Sequence, residues 1–388
     1  MKEKAILIRK MLMGAAALAV FITAGISFFQ HRHFKEQVVL SEDVTEVRKL
    51  GDYFDGISGT INDCNLYFIE GEEPGATFLV MGGSHPEEPA SRLAAWILTG
   101  HARISQGRII VVLSANRSGT TVTRPSGAYP RFYNIPTPWG SQKFRMGDRW
   151  TNPLDQWPDP EVYIHYPSRQ NLAYVDVRNL NRAWPGRANG TLTERTAFAF
   201  MEMIRTEKVD LVIDLHEAEL QYPVINTIVA HESGQELATL VSMMLTDFEG
   251  FSMGTEFSPK NLHGLSHREI GDHSDAVSLL FEAPQPFLDA TRGVTGEKQL
   301  LEGKDEFVVK AGKHELLYAP IDENGWHIDV RVGRHLSAIL QTFESWNEYE
   351  PGRPIICSGV PRYADLIEQG TGYYLKDPTT PNTRTALE

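Results

Sequence analysis

Four acid–base side chains stand at the ends of apolar runs in this sequence. His85 and Glu88 lie three apart in MGGSHPEEPA (residues 81–90). His216 closes the apolar part of DLVIDLHEAE (210–219), and Glu282 closes that of SLLFEAPQP (278–286). Singly, each has an ordinary explanation. His85 and Glu88 can be a surface turn with a helix-capping acid, and His33 and Glu36 repeat the same spacing beside the N-terminal apolar stretch. His216 can be a hydrogen-bonded core histidine, and Glu282 a paired carboxylate. Together they suit another role. Two histidines and one carboxylate at neighbouring strand ends supply three ligands of a catalytic zinc site and leave a fourth position for water. Glu282, facing that water, would act as general base. Asn181 and Arg182, in NLNRAWPG (179–186), add a guanidinium fork. It is either a solvated surface charge or a bidentate dock for a substrate carboxylate.

These residues need elements to position them. ATFLVMG (76–82) reads as a strand buried on both faces, and RIIVVLSA (108–115) as a second. Between them Pro89 opens a helical pattern continued by Leu93, Ala94, Ile97 and Leu98. Strand, helix, strand is a βαβ unit, so a parallel or mixed sheet follows. The two glycines before His85 permit a sharp turn there. Thr191 and Glu194 have capping-box spacing and predict a helix to about residue 207. Further strands are expected over 209–216, 224–230 and 276–282, with helices over 235–247 and 329–346. Residues 116–170, rich in Gly, Pro, Trp, Tyr and Arg, read as a long loop over one end of the sheet.

The order His85-x-x-Glu88, Asn181-Arg182, His216, Glu282 resembles the zinc carboxypeptidase superfamily. The phrases GGSHPEE and LNRAWPG are most similar to its succinylglutamate desuccinylase/aspartoacylase branch. The resemblance covers roughly residues 75–285. It implies a three-layer α/β/α sandwich around a mixed, mainly parallel sheet of about eight strands. It also implies one zinc ion on His85, Glu88 and His216, Glu282 as the base, and a substrate carboxylate on Asn181 and Arg182. A second arginine is expected to polarise the substrate carbonyl, with Arg169 better placed than Arg178. Two departures stand out. Relatives usually carry an aspartate two residues before the Asn-Arg pair, where Asn179 stands here; its amide oxygen can still accept an imidazole N–H, or Asp176 substitutes for it. Carboxypeptidases also carry a tyrosine about two dozen residues before the base. No tyrosine occurs in 250–281, where His263, His267 and His273 are found.

The remaining sequence bounds location and partners. Residues 11–29 (MLMGAAALAVFITAGISFF) carry no charge and follow four basic residues. At about 1.5 Å per residue they span a bilayer's hydrocarbon core, and the charge bias predicts a cytoplasmic N-terminus with the body outside, periplasmic or extracellular. Cleavage as a signal peptide, giving a secreted body, is the alternative. The expected organisation is 1–36 as N-terminus and membrane segment, 37–350 as zinc hydrolase domain, and 351–388 as a C-terminal extension. The net charge is -13, and -17 without the basic residues 1–36, which argues against a nucleic-acid partner. The two cysteines, Cys64 and Cys357, form no metal or redox motif. The resemblance thus implies a zinc-dependent amide hydrolase, a deacylase of N-acyl amino acids or related small molecules with a free carboxylate. An exported metallocarboxypeptidase acting on short peptides, including cell-wall peptides, is one alternative, and a membrane-tethered binding module without turnover is the other.

Overall fold

The apolar runs become strands covered on both faces, which is what their lack of polar alternation requires. The computed structural model describes residues 2–122, 130–287 and 294–388. It divides into two units, 1–36 and 37–388. The first is the helix α1 (Lys2–Arg32). Among the described residues it is the one helix long and apolar enough to cross a membrane.

The second unit is built on a nine-stranded sheet. Its strands, in chain order, are β1 (Val44–Lys49), β2 (Asn65–Glu70), β3 (Glu73–Met81), β4 (Arg103–Val112), β5 (Leu211–Ala218), β6 (Thr227–Ala230), β7 (Gly254–Phe257), β8 (Val277–Pro284) and β9 (Ile356–Ser358). The spatial order is β7-β6-β8-β5-β3-β4-β2-β1, with β9 on β4. The central run β8-β5-β3-β4 is parallel. At the margins, β6 joins β8 and β2 joins β4 in antiparallel fashion. Helices α2 (Pro89–His101), α4 (Gln235–Met244) and α6 (Ile328–Tyr349) pack on one face, against Phe78, Val80, Ile213 and Leu279. Helices α3 (Leu192–Thr206) and α5 (Ser266–His273) cover the other, against Leu79, Met81 and Val212. The result is the expected three-layer α/β/α sandwich with a parallel centre.

Local signals explain several boundaries. Pro89 is the first residue of α2. Thr191 caps α3 in a capping box, its backbone N–H donating to Glu194 Oε2 at 2.8 Å. Four strands were not foreseen: β1, β2, β7 and β9. Three of them lie at sheet margins, where short, partly exposed segments carry a weak apolar signal. The region 116–170 is more ordered than a loop, since Phe132–Thr137 pairs with Gly140–Arg145; residues 123–129 of it lie outside the described part. The stretch from Pro351, read as an extension, packs into the unit. Ile356–Ser358 joins β4, α7 (Tyr363–Gln369) lies on α6, and Tyr67 Oη donates to Glu388 Oε1 at 2.6 Å. Cys64 and Cys357 are both free.

Candidate active site

The parallel centre of the sheet dictates where the chemistry converges. His216 on β5 and Glu282 on β8 are directly paired in register. Their side chains share the α3–α5 face, because their neighbours Leu215 and Phe281 enter the core of the opposite face. His85 and Glu88 arrive from the adjacent β3, in the turn before α2. Gly83, at φ +66°, makes that turn; a Cβ there would meet Leu113 O at 2.9 Å. Glu88 sits at the helix N-cap position, yet its side chain makes no capping bond. It points instead at the two imidazoles, with Oε1 2.7 Å from His85 Nδ1 and Oε2 3.0 Å from His216 Nδ1. The capping explanation for this acid therefore does not hold. Ligand atoms of His85, Glu88 and His216 all lie within 4.8 Å of one another, and all three residues are buried.

Each ring also has an acceptor behind it. His85 Nε2 is 2.9 Å from Asn179 Oδ1, and His216 Nε2 is 3.0 Å from Asp214 Oδ2. Asp214 is held in turn by the hydroxyls of Ser84 and Ser266, at 2.7 and 2.6 Å. Both imidazoles thus face acceptors at both nitrogens. Burial lowers the pKa of His85, with Glu88 opposing, and a neutral ring has one proton for two acceptors. A cation between the Nδ1 atoms and Glu88 removes that conflict and leaves each Nε2–H to donate backward, the arrangement that orients metal-ligating histidines. The donor set, two imidazoles and a carboxylate, suits zinc. Asn179 fills the place where the resemblance leads to the expectation of an aspartate, and Asp176 does not replace it; Asp176 Oδ1 accepts from Asn179 Nδ2 at 3.2 Å.

Electrostatics separate the carboxylates. Burial opposes ionisation of Glu88, but His85 and His216 outweigh it and hold Glu88 well below the usual carboxylate range. Burial would likewise lower His216, but Asp214 and Glu88 hold it well above its ordinary value. Burial pushes Glu282 up to about 8, with His216 opposing and Glu88 and Asp214 adding to the rise. Glu282 Oε2 is buried without a hydrogen-bond partner among the described residues. A divalent cation nearby would shift Glu282 back toward ionisation.

The four residues open onto a cavity of about 400 Å³ that is also lined by Asn181, Arg182, Arg149 and His267. Asn181 Oδ1 is tied to Ser266 N at 2.8 Å. Burial lowers the Arg182 pKa; Nη1 donates to Asn181 O at 2.7 Å, and no carboxylate pairs with it among the described residues. Arg169, expected as the second arginine, is not at the cavity. It is exposed on a left-handed turn at φ 67°. Arg178 pairs with Asp159. The second arginine at the cavity is Arg149, paired with buried Glu87. Its segment, MGDRW, lies far from every motif in sequence, and nothing there sets it apart from other loop arginines. Val224, Phe257 and Leu262 form an apolar wall. A second group, His165, His263 and Glu269, also gathers possible ligand atoms. There His165 is engaged on both sides, by Ser168 Oγ at 2.7 Å and Trp184 O at 2.5 Å. This explains the group as a hydrogen-bonded brace.

Fold and site together define a class. The sandwich is a three-layer α/β/α fold around a mixed sheet with a parallel centre. The resemblance extends to a family: residues 166–263 match the succinylglutamate desuccinylase/aspartoacylase catalytic domain. That segment contains Asn181, Arg182 and His216; His85, Glu88 and Glu282 lie outside it. A comparison with curated proteins finds no match. Among solved structures the chain is similar to the ectoine utilization protein EutE (DoeB) of Ruegeria pomeroyi, at 18% identity over 56% of this chain and 52% of that one, with a TM-score of 0.36. It is similar also to a metallo-carboxypeptidase of Burkholderia cenocepacia (14% identity, 83% and 68% covered, TM-score 0.43). A third is the cell shape determinant protein Csd4 of Helicobacter pylori (10% identity, 78% and 59% covered, TM-score 0.42). The chain spans about half the length of the first of these.

Proposed function

We propose that this chain is a zinc-dependent amide hydrolase acting as a deacylase of N-acyl amino acids or related carboxylate-bearing small molecules. The observation that carries the reading is the joint orientation of His85, Glu88 and His216, each ring braced from behind, with Glu282 Oε2 buried beside them and without a partner among the described residues. The chemistry that a zinc ion supplies when held by these three residues is acidification of a water and polarisation of a carbonyl. Glu282 takes the proton of the attacking water and returns it to the departing nitrogen, a role typically worth about 10²–10⁴-fold. Arg182 and Asn181 hold the substrate carboxylate and so fix which amide meets the water. Arg149 faces the developing oxyanion. The apolar wall excludes water from the acyl or side-chain portion of the substrate.

The helix Glu3–Arg32 supports the companion proposal of a membrane-anchored protein with its catalytic unit outside the cytoplasm. A reporter fused after residue 388 should then be active only in the exported compartment.

The test of function is amine release by the zinc-loaded chain from a panel of N-acyl amino acids and blocked peptides, with Glu282→Gln as control. Release from the acyl amino acids, abolished in the variant, supports the deacylase. Release from peptides alone would instead identify a carboxypeptidase-like enzyme. Silence toward both panels would refute the hydrolase reading in favour of a binding module.

A further inference from the structure

Of the three histidines in the stretch 250–281, the fold treats one differently. His263 and His273 both bind Glu269, at 2.8 and 3.2 Å, away from the cavity. His267, in the first turn of α5, lines the cavity and is only 5% exposed. Its Nδ1 is 2.7 Å from Ser258 Oγ, and its Nε2 has no hydrogen-bond partner among the described residues. Nδ1 is the one acceptor that the Ser258 hydroxyl meets among the described residues, and a hydroxyl donating there leaves the ring proton on Nε2. An N–H there is not among the fully buried atoms and opens on the cavity, where an acceptor can meet it. Burial lowers its pKa to about 3, with the His216 charge adding to the effect, so the ring is neutral at working pH. Its charged neighbours include Arg182. The helix that carries it is itself tied to the site through Ser266, bonded to Asp214 and Asn181.

We infer that His267 is a substrate-anchoring residue, whose Nε2–H donates to the substrate carboxylate alongside Arg182 and Asn181. The inference rests on the proposed carboxylate-bearing substrate and deepens it: beside Arg182 and Asn181, the carboxylate is read by a neutral imidazole donor. The neutral donor matters for selectivity. A second arginine would accept any anion, whereas a single fixed N–H rewards the acceptor lying in the plane that Arg182 sets.

The experiment compares binding of N-acetyl-L-leucine and its carboxamide to the zinc-loaded full chain carrying Glu282→Gln, by calorimetry. The carboxylate should bind more tightly. His267→Ala should reduce that preference about 10-fold or more, while His267→Gln, which keeps an N–H donor, should retain most of it. In the otherwise wild-type chain, His267→Ala should raise KM with little change in kcat. An unchanged preference in His267→Ala overturns the inference, as does a loss confined to kcat. Thermal melts of both variants show that the fold persists. If the wild type hydrolyses no amide but His267→Ala still erases the preference, the hydrolase reading fails and the anchoring role stands. Hydrolysis with an unaltered preference has the opposite meaning.

Discussion

Asn179 braces His85 where the resemblance leads to the expectation of an aspartate, and its surroundings give a physical reason for the amide. Its Oδ1 accepts from His85 Nε2 at 2.9 Å and from Asn181 N at 3.0 Å, while its Nδ2 donates to Asp176 Oδ1 at 3.2 Å. Asn179→Ala strips two buried donors of their acceptor, and loss of such a ligand brace typically costs about 10–100-fold in metal affinity. Asn179→Asp keeps the acceptor and adds charge behind His85, which by itself would strengthen the bond about twofold in energy. It also places a carboxylate oxygen where Nδ2 now meets Asp176. Two unit charges about 3.2 Å apart repel by roughly 1.3 kcal/mol in water and roughly 5 kcal/mol at an effective dielectric of about 20. The repulsion exceeds the gain. Asn179→Asp alone should therefore bind zinc no more tightly than the wild type. The double variant Asn179→Asp/Asp176→Asn restores an amide donor at the contact and should bind zinc more tightly, by up to about 10-fold. Competition against a chromophoric chelator at one fixed pH measures all four proteins. Tighter binding by the single aspartate variant would refute the role given to Asp176. An unchanged affinity in Asn179→Ala would refute the bracing of His85.

Other consequences can be checked separately. Arg182→Met removes the one cavity cation without a carboxylate partner among the described residues and should raise KM for a carboxylate substrate about 10–100-fold, with a smaller effect on its carboxamide; equal effects on both would contradict the docking role. Gly264 holds φ +87°, and a Cβ there would lie 2.3 Å from Arg182 O. Gly264→Ala should lower stability by about 2 kcal/mol or more and impair carboxylate binding, as read by urea unfolding and KM; a neutral outcome would mean the loop adjusts freely. His335 is buried, its Nε2 has no partner among the described residues, and burial lowers its pKa to about 3. It is neutral in the folded chain while the unfolded chain takes a proton below about pH 6.5, so stability falls as pH drops. Between pH 6.5 and 5 the loss is about 2 kcal/mol from this group. His335→Leu should flatten that part of the urea-midpoint profile, and an identical slope in both proteins would contradict the assignment.

Legibility in the sequence followed the strength of each local signal. The buried strands β3, β5 and β8 and the caps at Pro89 and Thr191 were readable because apolar runs and capping residues act over a few neighbours. The edge strands β1 and β7 were not, since most of their side chains meet solvent and neither alternate nor cluster in an apolar pattern. His85, Glu88, His216 and Glu282 could be named because acid–base residues at the ends of apolar runs are expensive to bury and so need a reason. Arg169 was misjudged because proximity in sequence to Asn181 says nothing about which way a turn faces, and this turn faces solvent.

The sequence by itself determined the layered α/β character, the types of residue available for metal, base and carboxylate, and the strand ends on which they ride. These depend on hydrophobic periodicity and on the chemistry of single side chains, both local properties. Only the tertiary structure decided the pairing of His216 with Glu282, the brace of Asn179 behind His85, and the presence of Arg149 and His267 in the cavity. Each of these brings together segments tens of residues apart or more. Such encounters are set by sheet order and helix packing, which no short stretch of chain encodes alone.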